Sequence, residues 1–249
     1  MVRDSVVRIG LVLPDVLGTY GDSGNATVLR KRLEWRGYRS EIVDLAVGET
    51  VPNSLDFYLL GGGEDRAQTL AVAHLTANPG MQEAASRGAV VLAICAGLQI
   101  LGHDFTGTDG VTHRGLSLLD VRTTAGTWSR AVGELLTTPD PALLQASMTG
   151  FENHQGHTQV GPQARPLSKV VYGTGNGDGG DGAYAGRVVG TYMHGPVLAR
   201  NPAFADLLLS WAVGEPLAPL DIPVIEKLRD ERKRAVQALA TRRKRLLRF

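Results

Sequence analysis

The 249-residue chain has a single cysteine, Cys95, so an internal disulfide framework is excluded and a reducing compartment is indicated. No apolar run reaches the roughly 18 residues of a membrane span, and the first residues show no signal-peptide pattern. With 43% hydrophobic residues, the chain is long enough to bury one large core. We therefore expect a cytoplasmic protein with one large α/β domain.

Charge is nearly balanced overall, at +1, but it is unevenly distributed. Residues 226–249 hold ten Lys or Arg and three Asp or Glu, which gives this segment +7 and residues 1–225 a charge of −6. We therefore predict a domain over 1–225 and a basic C-terminal tail or helix over 226–249. Apolar Val236 and Leu239 between the basic clusters suggest weak contact with an anionic membrane surface, whereas the alternative is a solvated terminal helix. We do not expect a nucleic-acid partner.

Strands and helices alternate through the first hundred residues, which favours a mostly parallel sheet flanked by helices. Short β-rich pieces over 116–174 predict an antiparallel extension of that sheet. Half of the residues over 173–186 are glycine, which predicts a flexible hairpin loop, and the segment lacks the Gly-Lys-Ser/Thr ending of a phosphate-binding loop. The other predicted elements are strands at 6–13, 40–45 and 57–60 and helices at 26–35 and 67–76.

Cys95 lies between an apolar run, 89–94, that predicts a buried strand and a segment with helical spacing that begins near Ala96. This order places the sulfur at the carboxyl edge of a parallel sheet, facing the free N–H groups of the helix start. Those groups lower the pKa of a thiol and stabilise an oxyanion. The local pattern is nevertheless equally typical of a small buried apolar cysteine.

A catalytic thiolate needs a base, which is usually a histidine distant in sequence. His194 alone among the six histidines combines a predicted strand end, over 187–194, with a chain break at Gly195-Pro196. If both strands lie parallel in one sheet, Cys95 and His194 emerge at the same edge.

The other five histidines have weaker patterns. His74, His103 and His113 are predicted to be surface or capping residues, because lone histidines are usually structural. His154 and His157 are spaced for a metal, but no third ligand of matching pattern follows them. We expect no metal site.

Five motifs, in order along the chain, resemble the class I glutamine amidotransferases of the CobB/CobQ-like branch, and within it the GatD subunits. The cysteine and histidine motifs belong to the broad superfamily, whereas the first and fourth motifs indicate the narrower branch. The motifs are LGTYGDSGN at 17–25, LGGGED at 60–65, AICAGLQ at 93–99, GFENHQG at 150–156 and GTYMHGP at 190–196.

The resemblance implies that Cys95 attacks the side-chain amide of L-glutamine, releases ammonia and forms a glutamyl thioester that water hydrolyses. His194 would accept the thiol proton and later activate the water. Ammonia would pass to a MurT-type ligase in a heterodimer. That partner would bind ATP and magnesium and amidate the α-carboxyl of D-glutamate in the lipid II stem peptide, so no cofactor is expected in this chain.

The resemblance also implies the binding residues. The N–H of Ala96 and a second N–H from Gly62 or Gly63 would form the oxyanion hole, since glycine lets the backbone approach the substrate. Arg130 would bind the α-carboxylate of glutamine through its planar guanidinium group. Without the family resemblance, the sequence around Arg130 would indicate an ordinary surface arginine. Gln99, one turn into the helix, is a further candidate for lining the pocket.

Two questions stay open at the sequence level. Many class I amidotransferases place a glutamate two residues after the histidine, but this chain has Pro196 there. Asp22 and Glu152 are candidates to orient His194, and we predict instead that the partner subunit supplies the carboxylate. The alternative functions are an amidotransferase for another acceptor, such as a cobyrinate-type acid, and a non-catalytic binding module on the same fold.

Overall fold

Strands and helices alternate as far as the cysteine, and the rest of the chain is richer in strands. The computed structural model describes residues 6–126 and 129–246. Its strands are β1 (Val6–Val12), β2 (Arg39–Leu45), β3 (Phe57–Leu60), β4 (Val90–Ile94), β5 (Asp104–Thr106), β6 (Thr112–Arg114), β7 (Val121–Ala125), β8 (Ala131–Pro139), β9 (Met148–His154), β10 (Gly156–Val160), β11 (Arg165–Tyr172), β12 (Gly180–Ala185) and β13 (Val188–Thr191). Its helices are α1 (Gly24–Glu34), α2 (Asp65–Ala77), α3 (Gly80–Ser86), α4 (Ala96–Leu101), α5 (Val197–Arg200), α6 (Pro202–Val213) and α7 (Pro223–Leu246).

A nine-stranded sheet in the order β2-β1-β3-β4-β13-β12-β11-β8-β9 forms the centre of the molecule. The first five strands of this order are parallel, and the other four continue it antiparallel. β3 and β4 are buried along their whole length, because the flanking helices cover both faces of a parallel sheet. The predicted α/β fold with an antiparallel extension is confirmed.

The extension is divided between two sheets. β8, β9 and β11 join the central sheet, whereas β7 and β10 pair in a separate four-stranded sheet with the order β10-β7-β5-β6. β9 and β10 are consecutive in the chain but belong to different sheets, so the chain changes sheets at Gln155. This change brings residues on both sides of Gln155 beside the carboxyl edge of the parallel strands.

The predicted flexible loop over 173–186 is wrong in its second half, which is strand β12 of the central sheet. Gly182 lies so close to β13 that a Cβ there would be 2.2 Å from the carbonyl oxygen of Gly190. The turn before the strand is held by buried Asn176, which accepts the Gly182 N–H at 2.8 Å and donates to the Gly182 carbonyl at 3.0 Å. Glycine here permits close strand packing, so composition alone gave the wrong structure.

Helix α7 covers most of the basic segment predicted at 226–249 and packs against β8 and β11. Val236 is fully buried, so it is not available to a membrane surface as the sequence suggested, whereas Leu239 is exposed. Arg232 donates a hydrogen bond to Glu134 at 3.2 Å. Val224 and Leu228 are exposed. None of the helices in the described part of the chain combines the length and apolar character needed to cross a membrane. The domain boundary at residue 225 stays a prediction.

Candidate active site

Cys95 occupies the sharp turn between β4 and α4, as the sequence predicts. Its N–H donates to the carbonyl of Thr191 at the end of neighbouring β13, at 2.8 Å. The turn forces Cys95 to φ +53° and ψ −105°, a conformation that costs a residue with a Cβ about 1 kcal/mol or more. A strained strand-to-helix turn is a common way to project a nucleophile from a sheet edge.

His194 lies at the same edge, but β13 does not extend to it. The strand ends at Thr191, three residues earlier than predicted, because the Thr191 hydroxyl accepts the N–H of Met193 at 3.1 Å and turns the chain. A bridge to β9 then holds His194: its N–H donates to the Phe151 carbonyl at 2.7 Å, and the Phe151 N–H donates back at 3.1 Å. The antiparallel extension, and not β13 alone, therefore positions the histidine.

Asp22, from the segment before α1, holds the imidazole of His194. The Nδ1 atom of His194 is 2.9 Å from Oδ2 and 3.2 Å from Oδ1 of Asp22, and both side chains are 1% exposed. Asp22 of the same chain therefore occupies the position for which we predicted a carboxylate of the partner subunit. Because the Asp22 carboxylate accepts from Nδ1, the Nε2 atom of His194 is the one available to Cys95. Cys95, His194 and Asp22 therefore have the arrangement of a nucleophile, a base and an orienting acid.

The electrostatics of His194 fit that arrangement. Burial by itself lowers the pKa of His194, but the hydrogen bond to Asp22, the interaction with Cys95 and the charges of both outweigh it and raise the pKa of His194 to about 10. The imidazolium form is therefore favoured at neutral pH. Nε2 has no hydrogen-bond partner among the described residues, although Cys95 is near enough to affect this titration. Catalytic hydrogen bonds are often loose before substrate binds.

The glycine turn after β3 closes the site from one side. The N–H of Gly62 donates to Oδ2 of Asp22 at 2.9 Å, so it is not available to an oxyanion as the sequence suggested. Gly63 lines the same cavity as Cys95 and replaces Gly62 as the candidate second donor. Ala96 follows Cys95 as the first residue of α4, where its N–H has no partner within the helix.

Arg130 lines the same cavity as Cys95 and His194, as the family resemblance implies. Its Nε donates to Oδ1 of Asn153 at 2.5 Å, and its Nη2 donates to the carbonyl of Asn153 at 3.3 Å. That same carbonyl lies 4.0 Å from the sulfur of Cys95. An exposed arginine held beside a nucleophile is placed to bind an anionic end of a small substrate.

Gln99 also lines the cavity, but its side chain makes hydrogen bonds within a buried polar network. It accepts a hydrogen bond from Gln68 at 2.9 Å and donates to the hydroxyl of Tyr192 at 3.1 Å. Burial raises the pKa of Tyr192, so this hydroxyl stays neutral. Gln99 therefore shapes the cavity wall, and its contact with substrate stays a prediction.

Glu152, the other candidate acid, serves a different histidine. It accepts the N–H groups of Thr174 and Gly175 at 2.7 and 2.8 Å and lies 3.3 Å from Nε2 of His154. His154 in turn stacks on Tyr192 with ring centroids 3.8 Å apart. Within the described ranges, no three His, Cys, Asp or Glu residues converge as a metal site would require.

Asn153 and Tyr20 also line this cavity, although neither was predicted from the sequence. Both belong to motifs quoted above, but neither is a usual nucleophile, acid or base, so residue type gave no signal. The rings of Tyr20 and His194 make an edge-type contact with centroids 4.9 Å apart, and the Tyr20 hydroxyl accepts a hydrogen bond from the side-chain amide of Asn153. Their roles depend on neighbours that only the fold brings together.

Residues 8–202 match the CobB/CobQ-like glutamine amidotransferase domain. The chain belongs to this family. One member, the GatD subunit of lipid II isoglutaminyl synthase (glutamine-hydrolyzing) from Staphylococcus aureus (strain N315), is 34% identical over 84% of this chain and 87% of its own length. The corresponding subunit of Streptococcus pneumoniae (strain ATCC BAA-255 / R6) is 32% identical over 83% of this chain and 80% of its own length.

The fold agrees with this CobB/CobQ-like membership. A crystal structure of a glutamine amidotransferase superposes with a TM-score of 0.57 at 18% identity and covers 82% of this chain and 99% of that one. Glutamine amidotransferases hydrolyse the side-chain amide of glutamine, and the cavity described above brings together a candidate nucleophile, Cys95, a candidate base, His194, and a candidate anion binder, Arg130.

A methyl group on Gly62 tests how tightly the side chains of Cys95, His194 and Asp22 are packed at the candidate site. A Cβ at this position would lie 2.8 Å from Cε1 of His194, 3.4 Å from Oδ2 of Asp22 and 3.6 Å from Cβ of Cys95. The imidazole must move to relieve the first contact, so Gly62→Ala is expected to lower kcat for glutamine about 100-fold with a folded protein.

The matched control for this substitution is Gly180→Ala, at the first residue of β12 and outside the cavity. Its nearest neighbour would be a side-chain oxygen of Asp178 at 3.1 Å. Steady-state glutamate release and thermal unfolding of both variants make the comparison. Wild-type kcat in Gly62→Ala would show that the imidazole is not held at this spot during turnover.

Proposed function

We propose that this protein is the glutaminase subunit of a lipid II isoglutaminyl synthase, acting through a Cys95 thioester. The observation that carries the proposal is the convergence of Cys95, His194 and Asp22 at one sheet edge, with Arg130 lining the same cavity. A non-catalytic binding module on the same fold has no need of an orienting acid buried behind a histidine.

In the proposed reaction, the Cys95 thiolate forms a bond to the amide carbon of glutamine, and Ala96 and Gly63 donate N–H groups to the resulting oxyanion. The His194 imidazolium gives its proton to the amide nitrogen, the carbon–nitrogen bond breaks and ammonia leaves. Water then attacks the thioester while neutral His194 accepts its proton. The carbon–sulfur bond breaks, which restores the thiolate and imidazolium and releases glutamate. Asp22 stabilises the imidazolium throughout.

The relatives support the proposed acceptor and partner. Both GatD proteins are named as subunits of lipid II isoglutaminyl synthase, and this chain spans most of their length. We therefore propose a cytoplasmic heterodimer with a MurT-type ligase, which would bind ATP and magnesium, activate the α-carboxyl of D-glutamate in the stem peptide and receive the ammonia. In this division of labour, the present chain contributes glutamine hydrolysis alone.

Glutamate release from L-glutamine, measured with this chain alone and with the MurT-type ligase of the same organism, tests the proposal. We expect release in the complex, a covalent glutamyl adduct on Cys95 in acid-quenched samples, and transfer of amide nitrogen to lipid II when ATP is added. Glutamate release without amidation of lipid II would indicate a different acceptor, such as a cobyrinate-type acid. No release under either condition would favour a binding module.

We further propose that α7 makes weak contact with an anionic membrane surface. Exposed Val224 and Leu228 lie in the same helix as exposed Lys227 and Arg234, and apolar and basic side chains together favour anionic bilayers. The protein is expected to sediment with phosphatidylglycerol vesicles at low salt and not with phosphatidylcholine vesicles. Equal binding to both vesicles, or binding that salt does not weaken, would contradict the proposal.

A further inference from the structure

We propose that Asn153 is a positioning residue that sets the guanidinium of Arg130 for the α-carboxylate of glutamine, and that Tyr20 holds the Asn153 amide in place. This inference rests on the proposed glutaminase function and extends its substrate site. Neither residue belongs to the nucleophile, base and acid described above.

The contacts fix which way each group points. Arginine has only donors, so the oxygen of the Asn153 amide must face Arg130, as it does at 2.5 Å from Nε. The NH₂ of the same amide then points away and donates to the hydroxyl of Tyr20. The three side chains therefore form one chain of hydrogen bonds at the cavity, in which reversing the amide would break the hydrogen bond to Arg130.

Asn153 occupies one edge of the guanidinium and leaves another free. It accepts from Nε and from one N–H of Nη2, whereas both hydrogens of Nη1 and the second hydrogen of Nη2 stay unused by it. The free Nη1 and Nη2 donors form a fork that matches a carboxylate. Arg130 is exposed just before β8, so without Asn153 its long side chain would sample many orientations.

Asn153 also sets the distance from this fork to the reacting sulfur. Its carbonyl accepts from Nη2 of Arg130 at 3.3 Å and lies 4.0 Å from Sγ of Cys95. The same residue therefore spans the nucleophile and the carboxylate binder, which must contact opposite ends of one glutamine molecule. The position of Asn153 is itself fixed by β9, where it pairs with Val132 of β8.

Tyr20 completes the arrangement at an energetic cost. Its backbone has φ +60°, in the left-handed region that residues with a Cβ rarely adopt, and its side chain is nearly half exposed. Backbone strain of this kind persists where the surrounding contacts hold a residue in the strained conformation, and it is common at functional sites. The contacts here are the Asn153 amide and the rings of His194 and Phe151.

Kinetics of Asn153→Ala in the complex with the ligase partner test this role. Because Arg130 would bind substrate and transition state alike, the KM for L-glutamine is expected to rise about 10- to 100-fold while kcat stays within about 3-fold of wild type. In the double variant Asn153→Ala/Arg130→Lys, kcat/KM should fall no more than about 2-fold below that of Arg130→Lys alone, since both substitutions remove one interaction.

The matched control is Val132→Ala, an exposed residue opposite Asn153 across the strand pair, which should leave KM and kcat unchanged. If Asn153→Ala does not fold, Tyr20→Phe carries the test, with a KM raised about 3- to 10-fold at constant kcat. An unchanged KM, a fall in kcat equal to the rise in KM, or additive effects in the double variant would overturn the inference. A wild-type complex that releases no glutamate would instead reject the proposed function, and this inference with it.

Discussion

Replacing Cys95 by alanine is expected to lower glutamate release at least about 10⁴-fold, to the limit of detection. Cys95 is the sole cysteine of the chain, so no second thiol can take its place. His194 and Asp22 remain in Cys95→Ala, but they provide proton transfer and not a covalent intermediate. The measurement is glutamate formed by the complex, with intact-mass analysis to show that the glutamyl adduct is lost.

Stability gives this substitution a second, independent readout. Cys95 has φ +53°, and alanine at the same position keeps that strain, whereas glycine relieves it. We therefore expect Cys95→Gly to be more stable to thermal or urea unfolding than Cys95→Ala by about 1 kcal/mol, although both are inactive. Activity above background in either variant would remove Cys95 as nucleophile. Lower stability in the glycine variant would show that the turn is not strained.

The meeting of Cys95 and His194 at one sheet edge could be predicted from sequence because the signals are local. An apolar strand, a small-residue turn and a helix start leave a periodicity around Cys95 that can be read within about a dozen residues. His194 carries a similar signal, a β-branched run before Gly195-Pro196. The family resemblance then indicated Arg130, which lies outside the five motifs and whose own sequence context is that of an ordinary surface residue.

The choice of Asp22 over the other candidates to orient His194 could not be predicted, because the contact joins residues 172 positions apart. An aspartate in a glycine-rich loop is most simply read as a turn residue. The position of Asp22 beside His194 depends on where the loop before α1 packs against the turn after β3. That packing produces no periodic pattern in the sequence. The end of β13 was misplaced for a similar reason, since the Thr191 hydroxyl bond that turns the chain is invisible to β-propensity.

Replacing Asp22 by asparagine should lower kcat about 10³- to 10⁴-fold, with little change in KM. Asparagine nearly preserves shape but removes the charge that favours the His194 imidazolium, and its NH₂ can face Nδ1 and disfavour the productive tautomer. Because Asp22 contributes to raising the pKa of His194 to about 10, its loss lowers that pKa. The alkaline limb of the kcat/KM profile, where the imidazolium loses its proton, should therefore move to lower pH.

Glu152→Gln is the contrasting variant, because Glu152 is also a buried acid beside a histidine but faces His154. It should cost stability through the hydrogen bonds with Thr174 and Gly175 and leave the alkaline limb where wild type has it. Profiles of kcat/KM between pH 6 and pH 10.5 for the two variants separate the roles. If Asp22→Asn retains wild-type kcat and an unmoved limb, the partner subunit must orient His194 after all, and the in-chain acid is structural.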